Sequence, residues 1–408
     1  MAGADLTALS AVLKEFYVGP IAEQLNTNVL ISQVLRTDAE NLEGLKAVIP
    51  LHTGRSGGIG ARGENVTLPT AGAQKYQRAT YDLKYLYARV QVSGPAIAKT
   101  KSEAGAFLQA MKSELDGIRN DLQLDFSRQL YGDGTGAIAS IPTGAAANAT
   151  QTLNSNESVQ KGFLYIGMTV DMGTIAAPTA RYSGLTVSDV DPVNGTVTFS
   201  SAVTPTNGDF LFRAGNVVAA GPYEIDAGLQ KIIATAANTV GTIDATATGN
   251  KFWDNLRDTS GTWTLDQLQT NWNKVNNAGG MADQMVLVTT PGLVRRLFAT
   301  SDFKSNVRFV NSQTLQGGFE KIAFSAGSGN IELIADRLAP YGKAHFVDKN
   351  HIRLFSPADW DFLSRDGLTV RWVTDVDAFQ AVLFRYVNLG TDRRNTSLVM
   401  SGLTDTGF

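Results

Sequence analysis

The stretch KYQRATYDLKYLYARVQV, Lys75 to Val92, constrains this chain more than any other. Ala79, Tyr81, Leu83, Tyr85 and Tyr87 fall on one side of a two-residue period, and Arg78, Thr80, Asp82 and Lys84 fall on the other, the pattern of a half-buried strand. At Leu86 the phase inverts, and Leu86, Ala88, Val90 and Val92 carry the apolar side onward. From Ala79 to Val92 the run covers about 45 Å at roughly 3.3 Å per residue, well past an ordinary strand. A bulge inside one sheet accounts for the inversion. A ribbon that leaves its own domain accounts for the length as well.

Just before this run, GRSGGIGARGENVTLP, Gly54 to Pro69, satisfies two catalytic patterns at once. Gly54-Arg55-Ser56-Gly57-Gly58 matches the GxSxG turn of a serine hydrolase, and Gly58 to Gly63 matches GxGxxG. Each motif needs a helix directly after it, one to hold the serine in a strained turn and the other to place its N-terminus against pyrophosphate. Here more glycines and a Thr-Leu-Pro segment follow, so no helix can start. A hydrolase centred on Ser56 remains the alternative from the enzyme class, with His345 or His351 and Asp336 or Asp348 in chain order for a triad. The simpler reading of Gly54, Gly57, Gly58, Gly60 and Gly63 is a permissive loop tip.

After the run, Ser102 to Tyr131 reads as one long helix. Leu108, Met111, Leu115, Ile118, Leu122, Phe126 and Leu130 recur at spacings of three and four, and Gly132-Asp133-Gly134 ends it. About thirty residues give roughly 45 Å of rod. Charge divides between the two segments. His52–Lys101 holds eight basic and two acidic residues, whereas Ser102–Tyr131 holds five acidic and three basic. A basic ribbon that projects outward cannot lie along its own acidic helix, so its complement is a neighbour's surface, with nucleic acid as the competing partner.

The remaining chain divides by texture. Residues 1–51 form an acidic leader with a helical pattern at Leu6, Leu9, Leu13 and Phe16. Residues 135–249 are poor in charge and rich in Gly, Thr, Ala and Val, with strand candidates at Gly184–Val190, Thr196–Phe199 and Phe210–Arg213 and turns at Asn194-Gly195 and Asn207-Gly208. Residues 250–355 alternate helix and strand: a helix capped by Thr264, a strand Met285–Thr289, a helix from Pro291, then strands at Ile331–Ile334, Ala344–Val347 and Ile352–Phe355. Two apolar strands, Leu368–Val376 and Ala378–Val387, close the pattern.

Composition narrows the function. With 408 residues, 43% hydrophobic, the chain can bury two or three cores. Thirty-five basic residues against 38 acidic ones leave no global field toward nucleic acid or an anionic membrane. There is no cysteine, hence no thiolate zinc site, and three histidines. His345 and His351 lie six apart across strand-turn-strand, a poor spacing for a metal, so neither metal nor cofactor is expected. Trp360, Phe362 and Trp372 sit among apolar strands and are expected to pack. The N-terminus lacks the basic start and apolar block of a signal peptide, so the chain is expected to stay in the cytosol.

The order of these parts resembles the major capsid protein of tailed bacteriophages, the Hong Kong 97-type fold, an α+β architecture. LAPYGKAHFVD, Leu338 to Asp348, DWDFLSRDG, Asp359 to Gly367, and DVDAFQAVLFRYVNLG, Asp375 to Gly390, are similar in pattern to the C-terminal third of many such subunits. The resemblance implies an N-terminal arm (1–51), an extended β-hairpin loop (52–98), a peripheral domain with a spine helix (99–134), a mainly-β insertion domain (135–249), an axial domain (250–355) and returning strands (356–408). It implies a structural protein of the virion, assembled in host cytoplasm into an icosahedral head of hexamers and pentamers. Arm and loop would pack on neighbouring copies, and the shell would enclose double-stranded DNA without sequence-specific binding or membrane contact. A separate scaffold protein, a portal and decoration proteins would be its other partners. Arg78, Tyr81, Leu83, Lys84, Tyr85 and Tyr87 are the expected contacts between subunits, and aspartate at Tyr81 and Leu83 is expected to leave folded monomers that form no shells. Lys75 sits where some relatives carry a cross-linking lysine, but no partner asparagine or catalytic glutamate is identifiable. An encapsulin-like compartment shares the fold and is the nearest alternative.

Overall fold

The computed structural model describes residues 30–39, 42–44, 46–94, 104–142, 145–175, 180–206, 208–216, 222–299, 322–325, 329–364, 369–373 and 375–405. The expected leader helix near Leu6–Phe16, the first residues of the expected long helix, Ser102 and Glu103, and Asn207 lie outside them. The fold is mixed α+β, built on three six-stranded sheets and one long helix.

The first sheet grows on the fourteen-residue strand Ala378–Thr391, whose alternation AFQAVLFRYV is the strongest in the C-terminal region. One edge of it pairs antiparallel with Ile352–Phe355, Asp361–Phe362 and Val370–Trp372. The other pairs with Lys84–Ser93 in unbroken register, from Ala378 opposite Ser93 to Val387 opposite Lys84. The helix Ala104–Tyr131 lies on this sheet. Leu115 and Ile118 share a seam with Ala88, Val90, Ala381 and Leu383, and the Phe126 ring meets Trp360 edge-on at 5.7 Å. Trp360 and Phe362 are core residues, as expected, while Trp372 is half exposed against Phe379.

The pairing of Lys84–Ser93 corrects the expectation of one continuous outgoing strand. At Leu83 the chain passes from one sheet to another, because Lys75–Asp82 pairs instead with Lys46–Gly54. The inversion of phase is therefore a change of sheet. Only the part before Leu83 belongs to a ribbon.

The second sheet runs Leu256–Asp258, Leu398–Met400, Ala344–Asp348, Met285–Thr289, Asn330–Ala335 and Ile322–Ser325 in spatial order. All five residues of Met285–Thr289 are buried, as its unbroken apolar run predicts for a central strand. The helix Leu265–Asn277 begins where the Thr264 side chain accepts from the Gln267 amide, and packs Leu268, Trp272 and Val275 on the sheet. Strand Ile352–Phe355 has the expected limits.

The third sheet comprises Ala137–Ser140, Asp209–Arg213, Thr169–Thr174, Ala180–Asp191, Thr196–Val203 and Asn148–Thr152, around an apolar cluster of its own. Gly195 turns the chain with φ +64°. The sheet ends at Arg213. Ile225, Leu229, Ile232, Val240 and Trp253, all within or beside the span expected to be mainly β, belong instead to the core of the first sheet. Two polar clasps hold the third sheet to the body. Asp125 on the long helix receives Arg128 and Arg213, each at 3.0 Å, and Arg128 also meets Glu224 at 2.6 Å. Burial disfavours the Asp125 charge, but the two guanidinium groups together with the Gln129 amide hold its pKa below the usual carboxylate range. Lys161 is 2% exposed, pairs with Glu157 at 2.5 Å and donates to the Ala339 carbonyl at 2.6 Å.

His345 is fully buried between Val288 and Val399, with neither ring nitrogen hydrogen-bonded among the described residues. Burial, with Lys343 nearby, pushes its pKa down to about 3. The unfolded chain therefore takes up this proton first as pH falls below 6.5, and stability drains away between there and about 3. Each pH unit costs up to about 1.4 kcal/mol. His345→Leu is expected to flatten that decline, measured by urea unfolding at about pH 7 and about pH 4.5; equal slopes for both proteins contradict the assignment.

Candidate assembly interface

The ribbon formed by Lys46–Gly54 and Lys75–Asp82 has a buried root and an uncovered end. At the root, the Tyr81 hydroxyl donates to the Thr391 carbonyl at 2.9 Å and accepts from the Thr391 amide at 3.2 Å. Its ring stacks on Phe355 at a centroid distance of 5.8 Å. Residue 390 is glycine because a Cβ there would lie 2.6 Å from the Phe355 ring and 2.9 Å from the Tyr81 ring. Burial raises the Tyr81 pKa well above the usual tyrosine range, so the hydroxyl keeps its proton for this bond. Further out, the Thr80 amide donates to the Gly241 carbonyl and Gln77 donates to Asn250.

Among the described residues, the hydrogen bonds beyond His52 and Tyr76 stay within the ribbon. His52 meets Gln74 at 2.6 Å, Ser56 Oγ donates to the Gly72 carbonyl at 2.9 Å, and Ser56 Oγ accepts from the Gly58 amide at 3.2 Å. Residues 55–74 contain neither helix nor strand. Ser56 is thus a clasp between the two legs of the tip, with no histidine on it and no helix behind it, and both motif readings lose their geometry. None of Gly54, Gly57, Gly58, Gly60 and Gly63 takes a left-handed backbone; Asn65 does, at φ 60°. Close approach demands glycine at Gly72, where a Cβ would lie 2.8 Å from the Gly57 nitrogen, whereas a Cβ on Gly57 would meet nothing within 4 Å.

This end exposes apolar side chains. Ile59 is 90% exposed, Leu68 78%, Tyr76 69% and Val66 57%. Four large apolar groups on one thin projection are what a surface awaiting a partner presents. Among the expected contacts, Arg78 is exposed beside them, and Tyr85 and Tyr87 are exposed on the first sheet, where Tyr85 meets Tyr386 edge-on at 5.1 Å. Tyr81 and Leu83 are corrected: at 3% and 5% exposure they fill the chain's own core. Lys84 is also engaged internally, with Asp226 at 3.2 Å and the Pro222 carbonyl at 3.0 Å. The residues that sequence reasoning missed are Ile59, Val66, Leu68 and Tyr76; the first three follow no period that would reveal them.

At the ribbon's base an open groove of about 400 Å³ is lined by Leu51, His52, Phe252, His351, Asp392 and Arg393. His351 Nδ1 meets Asp392 at 2.6 Å, a hydrogen bond that raises the histidine pKa. His345, sealed in the second sheet, takes no part. No cluster of potential metal ligands occurs among the described residues, and no described helix is long and apolar enough to cross a membrane.

Among solved structures, the cyanophage A-1(L) capsid asymmetric unit superposes with a TM-score of 0.53 at 11% identity, covering 92% of this chain and 93% of that one. The chain has the fold of a phage capsid subunit. The capsid of a native GTA particle matches at TM-score 0.47 and 9% identity, with 92% and 90% covered. The SrpI encapsulin complex of Synechococcus elongatus matches at 0.46 and 10%, with 100% and 98% covered. No family model matches the chain, and no curated protein matches it in sequence. At such identities the likeness is one of fold, and with the cyanophage subunit it covers 92% of this chain and 93% of that one.

The burial of Tyr81 and Leu83 changes what their replacement does. Tyr81→Asp and Leu83→Asp are each expected to destabilise the folded chain by at least about 3 kcal/mol, because a carboxylate enters the core. Tyr81→Phe, which loses only the hydroxyl bonds, is expected to cost about 1–2 kcal/mol. Chemical denaturation of the three variants checks this; unchanged midpoints for the aspartate variants contradict it.

Proposed function

We propose that this protein is a shell-forming capsid subunit, and more specifically the major subunit of an icosahedral head that encloses the double-stranded DNA of a tailed phage. The observation that carries the reading is the apolar end of the ribbon, Ile59, Val66, Leu68 and Tyr76, exposed among the described residues on a capsid fold. A subunit that projects such a group must be completed by another copy, and obligate contacts of this kind bury on the order of 2,000–5,000 Å².

In this reading the ribbon is the extended loop, Ala104–Tyr131 the spine helix, the second sheet most of the axial domain and the third sheet an inserted domain. A net charge of −3 suits a container that must not grip its genome at every subunit. Hexamers and pentamers of the chain are the contacts on which this function rests; a separate scaffold protein, a portal and decoration proteins are the further partners the reading proposes. The protein works by packing, not by catalysis, and Ser56→Ala is expected to leave assembly intact.

Sedimentation and negative-stain electron microscopy of the purified protein test the proposal. The wild-type chain is expected to form pentamers, hexamers or closed shells. Ile59→Asp/Leu68→Asp is expected to sediment as a monomer with an unchanged circular dichroism spectrum and melting midpoint. A monomeric wild type, or a double variant that assembles as well as the wild type, overturns it.

A further inference from the structure

The first sheet has two faces, and only one of them packs on the long helix. Leu86, Ala88, Val90 and Val92 turn inward and are buried, with Leu115 and Ile118 over them. The alternation that buries them sends Tyr85, Tyr87, Arg89 and Gln91 to the other side, where Tyr85 is 42% and Tyr87 57% exposed. Register fixes what stands beside them: Tyr386 opposite Tyr85, Phe384 opposite Tyr87, Val382 opposite Arg89 and Gln380 opposite Gln91. On the strands beyond, Asp361 lies opposite Phe384 and Arg371 opposite Gln380. Tyr386 meets both Tyr85 and Phe384 at centroid distances of 5.1 Å, so these rings form one aromatic strip. Arg89 is exposed at its margin; Gln91 holds its guanidinium at 2.9 Å, and it has no carboxylate partner among the described residues.

We propose that this face binds single-stranded nucleic acid, with two or three bases lying on Tyr85, Tyr87, Phe384 and Tyr386 and the phosphates against Arg89 and Arg371. The proposal goes beyond the shell reading and does not rest on it. Size selects the occupant. From Tyr85 to Gln91 the strip runs about 20 Å, and three strands make it about 10 Å wide, at roughly 3.3 Å per residue and 4.8 Å between strands. That is about 200 Å², roughly a quarter of the ~800 Å² per partner that a stable protein contact uses, so the face does not hold a second copy by itself. Sheets of this breadth do seat two or three bases on aromatic rings. Charge selects the same occupant. Among the described residues two arginines and one carboxylate share the face with the rings, a balance that suits a phosphate backbone, whereas a neutral glycan would leave the arginines unused. Strandedness follows from stacking. In a duplex the bases already cover one another and the rings have nothing to take up, so a shell around double-stranded DNA would not grip it through this face.

Fluorescence anisotropy of the full-length chain tests this, with a labelled DNA strand of about 20 nucleotides, the same strand in duplex form, and a neutral oligosaccharide. The single strand is expected to bind at least about tenfold more tightly than the duplex, and to weaken as salt rises. Tyr85→Ala/Tyr87→Ala is expected to weaken it at least about thirtyfold, since each stacked base contributes about fivefold or more. Tyr85→Phe/Tyr87→Phe keeps the rings and is expected to keep the affinity. Arg89→Gln is expected to flatten the log–log salt dependence by about 0.7. Circular dichroism spectra of the three variants are expected to match the wild type, because the replaced side chains are exposed. Absence of binding, equal binding of the duplex or preference for the oligosaccharide overturns the proposal, and so does an alanine variant that binds like the wild type or an unaltered salt slope for Arg89→Gln. If the strand fails to bind while Ile59→Asp/Leu68→Asp still abolishes particles, the shell reading stands without this face.

Discussion

The pairing of Lys84–Ser93 with Ala378–Val387 holds the rest of the molecule in place. It joins segments almost at opposite ends of the chain through ten consecutive residue pairs, and everything between them is closed as one very long loop. Loop entropy grows only with the logarithm of length, so such a closure is affordable once the paired faces are well buried. Leu86, Ala88, Val90 and Val92 supply that burial, facing Leu115 and Ile118 of the long helix. The same pairing sets the direction in which Lys75–Asp82 departs.

From this platform the ribbon inherits two opposite characters within a few residues. Its root is committed: Tyr81 is wedged over Gly390 against Phe355, and its hydroxyl is shared with both backbone groups of Thr391. Its end is not, because beyond Tyr76 it bonds only to itself and leaves its apolar side chains in water. A rigid root with an incomplete end is suited to reaching a neighbour at a defined angle while letting the contact itself adjust. Close approach of the two legs accounts for glycine at Gly72.

Local features were legible wherever a period or a cap determines structure alone. The stripe Leu115, Ile118, Leu122, Phe126 and Leu130 located the long helix, Thr264 located the start of the next, and Ile352–Phe355 was readable to the residue. What failed was assignment of partners. Alternation says which side of Lys75–Val92 is apolar but not which sheet covers it, so Tyr81 and Leu83 read as a surface when they are core. Charge counting met the same limit at Lys84, because Asp226, its partner, lies far away in sequence. Likewise Ile225, Leu229, Ile232 and Val240 are apolar because they fill the main core. Ile59, Val66 and Leu68 have no regular neighbours to betray them.

The central claim is that the ribbon's end is structurally incomplete until another copy covers it. Hydrogen exchange followed by mass spectrometry, on dispersed subunits and on assembled particles, measures this directly. Amides of residues 55–74 should exchange almost freely in dispersed subunits and become protected on assembly, while Lys84–Ser93 stays protected in both. Protection of 55–74 in the lone subunit, or none gained in the particle, would contradict the account.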